Sequence, residues 1–84
     1  MKLSWLDDAW DDYLLFQQRN KAVFNRINML IKDMKRSPFE GIGKPEPLKH
    51  GLTGVWSRRI TKEHRLLYRI LEDEIEIVEC KGHY

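Results

Sequence analysis

Eighty-four residues with a formal net charge of +2 make one small domain, too short for two separate cores and without an apolar run long enough to span a membrane. The single cysteine, Cys80, excludes an internal disulfide and fits a reducing compartment. The opening Met-Lys-Leu-Ser-Trp runs into acids at positions 7 and 8, unlike a signal peptide, so a cytoplasmic protein is expected.

Lys2–Trp5 is a short strand candidate. Asp7 and Asp8 suit the first turn of a helix, where acids meet the positive end of the dipole. Leu6, Ala9, Trp10, Tyr13 and Phe16-Gln17 recur at helical spacing, which predicts an amphipathic helix to about residue 18. Asp7, Asp8, Asp11 and Asp12 lack His or Cys neighbours and read as a solvated face rather than a metal site. Asn20 can cap a second helix with the apolar stripe Val23-Phe24, Ile27, Leu30-Ile31 and Met34. Arg36-Ser37-Pro38 ends that helix, because proline lacks the N–H and disfavours helical backbone before it. Residues 37–53 hold all three prolines and read as a long loop, of the kind that often carries function. Strands are predicted over 54–60, 64–71 and 74–81. The order β-α-α-β-β-β gives an α+β domain, an antiparallel sheet with the two N-terminal helices packed on one face.

The stretch around the polar turn Thr61-Lys62-Glu63 is the most informative. A hairpin that pairs Ile60 with His64 sets Arg59 opposite Arg65, with both side chains on one face. Two adjacent guanidiniums repel, and a phosphate matches their forked donors. Without a bulge, strand parity turns Trp56, Ile60, Leu66, Tyr68, Ile70, Val78 and Cys80 toward the helices. It leaves Arg59, Arg65, Lys81 and His83 at one end of the open face, and Leu71, Ile75 and Ile77 as an apolar patch at the other. The charges are segregated as well. Residues 44–69 carry seven basic groups against two acids, and residues 70–79 carry five acids and no base. That asymmetry fits a surface for nucleic acid, and equally a set of pairs between neighbouring strands.

Glu46 stands between two prolines in Lys44-Pro45-Glu46-Pro47-Leu48-Lys49, a stiff setting for a candidate general base; an ordinary surface pair with Lys44 or Lys49 is the competing reading. His83, next to the final Tyr84, is a candidate general acid, set against a frayed end. His50 and His64 have no metal-like spacing and read as structural or surface residues. A base, a cationic pair and an acid are the minimum set for cleaving RNA without a metal or other cofactor.

Residues 37–68, from Ser-Pro-Phe-Glu-Gly to His-Arg-Leu-Leu-Tyr, together with the opening Trp-Asp-Asp-Tyr and the terminal Cys-Lys-Gly-His-Tyr, resemble the YoeB (Txe/YoeB) toxins. The resemblance covers the whole chain. It implies a RelE-like microbial ribonuclease fold and an mRNA endonuclease acting in the ribosomal A site. It also implies a YefM-like antitoxin as partner, with operator DNA bound only together with that antitoxin. By the same resemblance Glu46 is the general base, His83 the general acid and Arg65 the arginine of the transition state, while Lys49, Arg59 and Tyr84 hold or orient the RNA. The patch at Leu71, Ile75 and Ile77 is the expected seat of the antitoxin, with a homodimer as the secondary expectation. The competing class is a non-catalytic RNA- or DNA-binding module, or a dead relative that only represses with its partner.

Overall fold

The computed structural model describes residues 1–49 and 54–82. In chain order the elements are β1 (Lys2–Trp5), α1 (Asp7–Arg19), α2 (Lys21–Arg36), β2 (Glu46–Pro47), β3 (Val55–Arg59), β4 (Arg65–Leu71) and β5 (Glu74–Glu79). They build one sheet in the order β1-β5-β4-β3-β2, antiparallel except at the edge where β1 runs parallel to β5. Both helices pack on one face, as the α+β reading expects. Asn20 caps α2 through a bond from the Val23 N–H at 3.2 Å. Val23, Ile27, Leu30 and Met34 then bury the α2 stripe against Leu66, Tyr68, Ile75 and Ile77 of the sheet. Helix α1 contributes less to the core than its spacing suggests. Ala9 and Phe16 are buried, but Trp10 stays 43% exposed, stacked at the surface with Trp5 and Tyr13. No described helix is long and apolar enough to cross a membrane.

Two features depart from the sequence reading. Glu46–Pro47, expected as loop, pairs with β3 as an edge strand (Glu46 opposite Ser57, Pro47 opposite Trp56). An edge position tolerates proline because no neighbour needs its missing N–H. The second departure is a bulge in β5. Leu67 pairs with Glu79 while Tyr68 pairs with Ile77, so Val78 is the extra residue. One inserted residue exchanges the faces of everything beyond it. Ile75 and Ile77 are therefore fully buried beneath the helices and do not form an exposed patch with Leu71. Where that patch was expected, Arg69 and Glu76 make an ion pair at 3.0 Å. The seat proposed there for a partner is thus not present.

The register has a direct consequence. Ile77→Asp places a carboxylate in the core and should cost at least about 4 kcal/mol, whereas Leu71→Asp should stay within about 0.5 kcal/mol. Urea unfolding followed by tryptophan fluorescence measures both; equal effects would contradict the bulge.

Candidate active site

The loop that leads to Glu46 is organised by a buried cation. The Arg58 side chain is fully buried on the helix face of β3. Its Nε donates to the Tyr68 hydroxyl at 3.2 Å. Its Nη1 donates to Asp33 Oδ2 at 2.7 Å and to the Ile42 carbonyl at 3.1 Å. Its Nη2 donates to the carbonyls of Ser37 and Glu40, each at 2.7 Å. These are all five donors a guanidinium has. The Tyr68 hydroxyl in turn donates to the Pro38 carbonyl at 2.8 Å, and the Ile42 N–H donates to Asp33 Oδ2 at 3.0 Å. The backbone of residues 37–42 is gathered on one charge pair. Arg36, Arg58 and the Ile42 N–H together hold the Asp33 carboxyl well below the usual carboxylate range, while burial raises the Tyr68 hydroxyl. Gly41 fits this turn for two reasons: its φ is +117°, and a Cβ there would collide with Asp33 Oδ2. The loop leaves the knot at Gly43, whose carbonyl accepts the Arg59 N–H at 2.7 Å, and enters β2 three residues later.

On the other face of the sheet the expected pair is in place. Arg59 lies directly opposite Arg65. The Arg59 N–H points away to Gly43 and the Arg65 N–H points away to the Gly82 carbonyl at 2.7 Å, so this is a non-hydrogen-bonded pair. Such pairs bring side chains closest, with Cβ atoms about 4.5–5.5 Å apart. Glu46 faces Ser57, two residues along β3 from Arg59 and on the same face, which is a diagonal separation of roughly 7–8 Å. Glu46 and Arg59 are exposed and Arg65 is half-buried, over a floor of buried Val55, Ser57 and Leu67. Arg65 Nη1 donates to the turn carbonyls of Thr61 at 2.6 Å and His64 at 3.2 Å. Among the described residues neither Arg59 nor Arg65 has a carboxylate partner, and no group of three His, Cys, Asp or Glu could hold a metal ion. Lys49 is exposed one residue beyond the β2–β3 ladder, which ends on the Leu48 N–H to Val55 carbonyl bond at 2.9 Å. His83 and Tyr84 lie outside the described residues, as does His50.

Two arginines without a counter-ion among the described residues, next to a carboxylate, can hold a phosphodiester and meet charge that develops on it. A family model described as the YoeB-like toxin of bacterial type II toxin–antitoxin systems matches residues 5–84. The chain belongs to this family. It is 57% identical to Toxin YoeB of Escherichia coli (strain K12), over the full length of both chains. The YoeB dimer structure from Staphylococcus aureus matches with a TM-score of 0.94 and 46% identity, covering 100% of this chain and 98% of that one. The YoeB–YefM complex from the same organism matches with a TM-score of 0.92, 47% identity and the same coverage. The fold therefore presents Glu46, Arg59 and Arg65 on one face and holds Gly82 against the backbone of Arg65.

Reasoning from sequence missed Arg58, which it counted among the surface cations. A cation one residue from the Arg59 position, on the opposite strand parity, was the available sign that it points inward. Arg58→Met leaves the turn carbonyls and the Tyr68 hydroxyl without their shared donor and Asp33 with only Arg36 and the Ile42 N–H, and should lower the unfolding free energy by about 3–5 kcal/mol. The Asp33 carboxyl has a folded pKa below its unfolded value, so the stability it contributes is present at neutral pH and drains away as pH falls below about 4. Urea midpoints measured from pH 7 downward should show this acid loss in the wild-type chain and a weaker one in Asp33→Asn.

Proposed function

We propose that this type II toxin is a metal-independent endoribonuclease that cleaves mRNA in the ribosomal A site and so inhibits translation. Glu46 takes the proton of a ribose 2′-hydroxyl. The freed oxygen attacks the adjacent phosphorus, and the negative charge that builds on the phosphoryl oxygens is met by Arg65 with Arg59 beside it. His83 donates a proton to the departing 5′-oxygen, leaving a 2′,3′-cyclic phosphate on one product and a 5′-hydroxyl on the other. Lys49 and Arg59 hold the RNA backbone, and Tyr84 orients the reacting end. The observation that carries this reading is the cross-strand Arg59–Arg65 pair, free of carboxylate partners among the described residues, diagonal to Glu46. The roles of His83 and Tyr84 rest on the resemblance to the family. Residues 1–84 act as a single cytoplasmic toxin domain. A YefM-like antitoxin neutralises it, as the S. aureus YoeB–YefM complex supports, and operator DNA is bound only together with that antitoxin. The S. aureus YoeB dimer supports a homodimeric state as well.

The bonds from Arg65 Nη1 to the turn carbonyls favour a second reading, in which Arg65 is structural and the face only binds RNA. Single-turnover cleavage on programmed ribosomes, with RNA affinity measured in parallel, separates the two. Glu46→Gln and Arg65→Ala should each lower the rate by roughly 10²–10³ while binding changes far less, and Arg65→Lys should be milder than Arg65→Ala. Equal losses in rate and affinity would make this a binding face. Cleavage of a short RNA should also survive excess EDTA; its loss would overturn the metal-independent step.

A further inference from the structure

His64 does not belong to the cationic pair and turns to the helix side of the sheet, at the same end. Its backbone closes the hairpin: the His64 carbonyl accepts the N–H groups of Ile60 at 3.0 Å and Thr61 at 3.2 Å, and the Thr61 hydroxyl accepts the His64 N–H at 3.1 Å. The imidazole is turned toward α1, edge-on to the Phe16 ring with centroids 5.2 Å apart. In that position its Nδ1 accepts the Gly82 N–H at 3.0 Å. The neighbouring Arg65 N–H donates to the Gly82 carbonyl at 2.7 Å. Residues 64 and 65 thus hold both polar backbone groups of Gly82, three residues beyond the end of β5.

We propose that His64 is a positioning residue for the C-terminal end of the site, acting by clamping Gly82 against Arg65. The carbonyl held by Arg65 belongs to the peptide bond that joins Gly82 to His83, so the clamp sets where the last two residues start relative to the Arg65 guanidinium. An imidazole that accepts at Nδ1 has that nitrogen unprotonated, and its ring packs against Phe16. Gly82 itself has φ +86°, and no described residue lies where a Cβ would stand, so glycine suits this position by its backbone conformation. A general acid must sit within hydrogen-bond reach of the leaving oxygen, and a misplacement of about 1 Å can cost on the order of 10² in rate. The proposal rests on the reading of His83 as that acid, while the clamp itself can be tested without any activity.

The clamp is tested by NMR on the wild-type chain and by two variants. A ¹⁵N–¹⁵N coupling across the bond between Gly82 N and His64 Nδ1 is expected in the wild-type protein, and its absence overturns the proposal whatever the variants do. His64→Leu keeps bulk against Phe16 but accepts no bond, and His64→Asn keeps an acceptor oxygen in the place of Nδ1. In His64→Leu the Gly82 amide should exchange with water at least about tenfold faster than in the wild-type chain, and His64→Asn should restore most of the protection. Single-turnover cleavage should fall about tenfold or more in His64→Leu with RNA affinity within about twofold, and recover in His64→Asn. Unchanged exchange in His64→Leu, wild-type cleavage by it, parallel losses of rate and affinity, or no recovery in His64→Asn would each overturn the positioning role. If the wild-type protein cleaves no RNA, the nuclease reading falls, and the coupling and exchange data still decide whether the clamp exists.

Discussion

A charge taken out of water is tolerated only where every donor finds an acceptor, and the fold is arranged to provide five of them for Arg58. Four come from one side of the molecule: the Asp33 carboxylate on α2 and three carbonyls of the segment that follows it. The fifth, the Tyr68 hydroxyl, comes from the neighbouring strand. Helix α2, the loop after it and the centre of the sheet are thereby tied at one point. A single sheet position, residue 58, carries this tie on its helix side, while residue 59 presents its guanidinium to solvent on the other. Two arginines adjacent in sequence do unrelated work because strand parity separates them.

The knot matters for chemistry because of where the loop goes next. After Ile42 and Gly43, both bonded to the β3 arginines, only Lys44 and Pro45 stand before Glu46. Pro45 and Pro47 restrict the backbone on both sides of the carboxylate, and β2 pairs it into the edge of the sheet. Glu46 is exposed but its backbone is not loose. A surface carboxylate gains the placement of a strand residue by this route, which is what the proton transfer proposed for Glu46 requires. Burial on the opposite side works the other way for Cys80. Its thiol, pushed up to about 12 by burial, donates to the Ala9 carbonyl at 3.4 Å and serves the core rather than the site.

Much of this was legible in local sequence. The α2 stripe, the Asn20 cap, the hairpin turn and the Arg59–Arg65 pairing all depend on residues within a few positions of each other, where periodicity and turn chemistry speak directly. What could not be read depends on distant partners. The bulge at Val78 is fixed by how β4 and β5 settle over the helices, and without it the parity of Ile75 and Ile77 comes out reversed. Burial of Arg58 needs Asp33, 25 positions earlier, and the clamp on Gly82 joins residues 18 apart. Parallel pairing of β1 with β5 closes the far edge across almost the whole chain. The long loop reads from sequence as an element that carries function, and the order of residues 37–42 comes from a buried charge that composition alone counts as surface.

In the proposed reaction this face breaks RNA by attack of the ribose's own 2′-oxygen, with protein groups alone moving protons and meeting charge. The most direct measurement compares cleavage of a short message bearing a single 2′-deoxynucleotide at the cut site with that of its all-ribose counterpart, and identifies the product ends by mass spectrometry. The deoxy substitution should abolish cleavage at that position, and the ribose substrate should yield a 2′,3′-cyclic phosphate or its 3′-phosphate hydrolysis product beside a 5′-hydroxyl. Cleavage of the deoxy-substituted message at the same position, or a 3′-hydroxyl product, would contradict it.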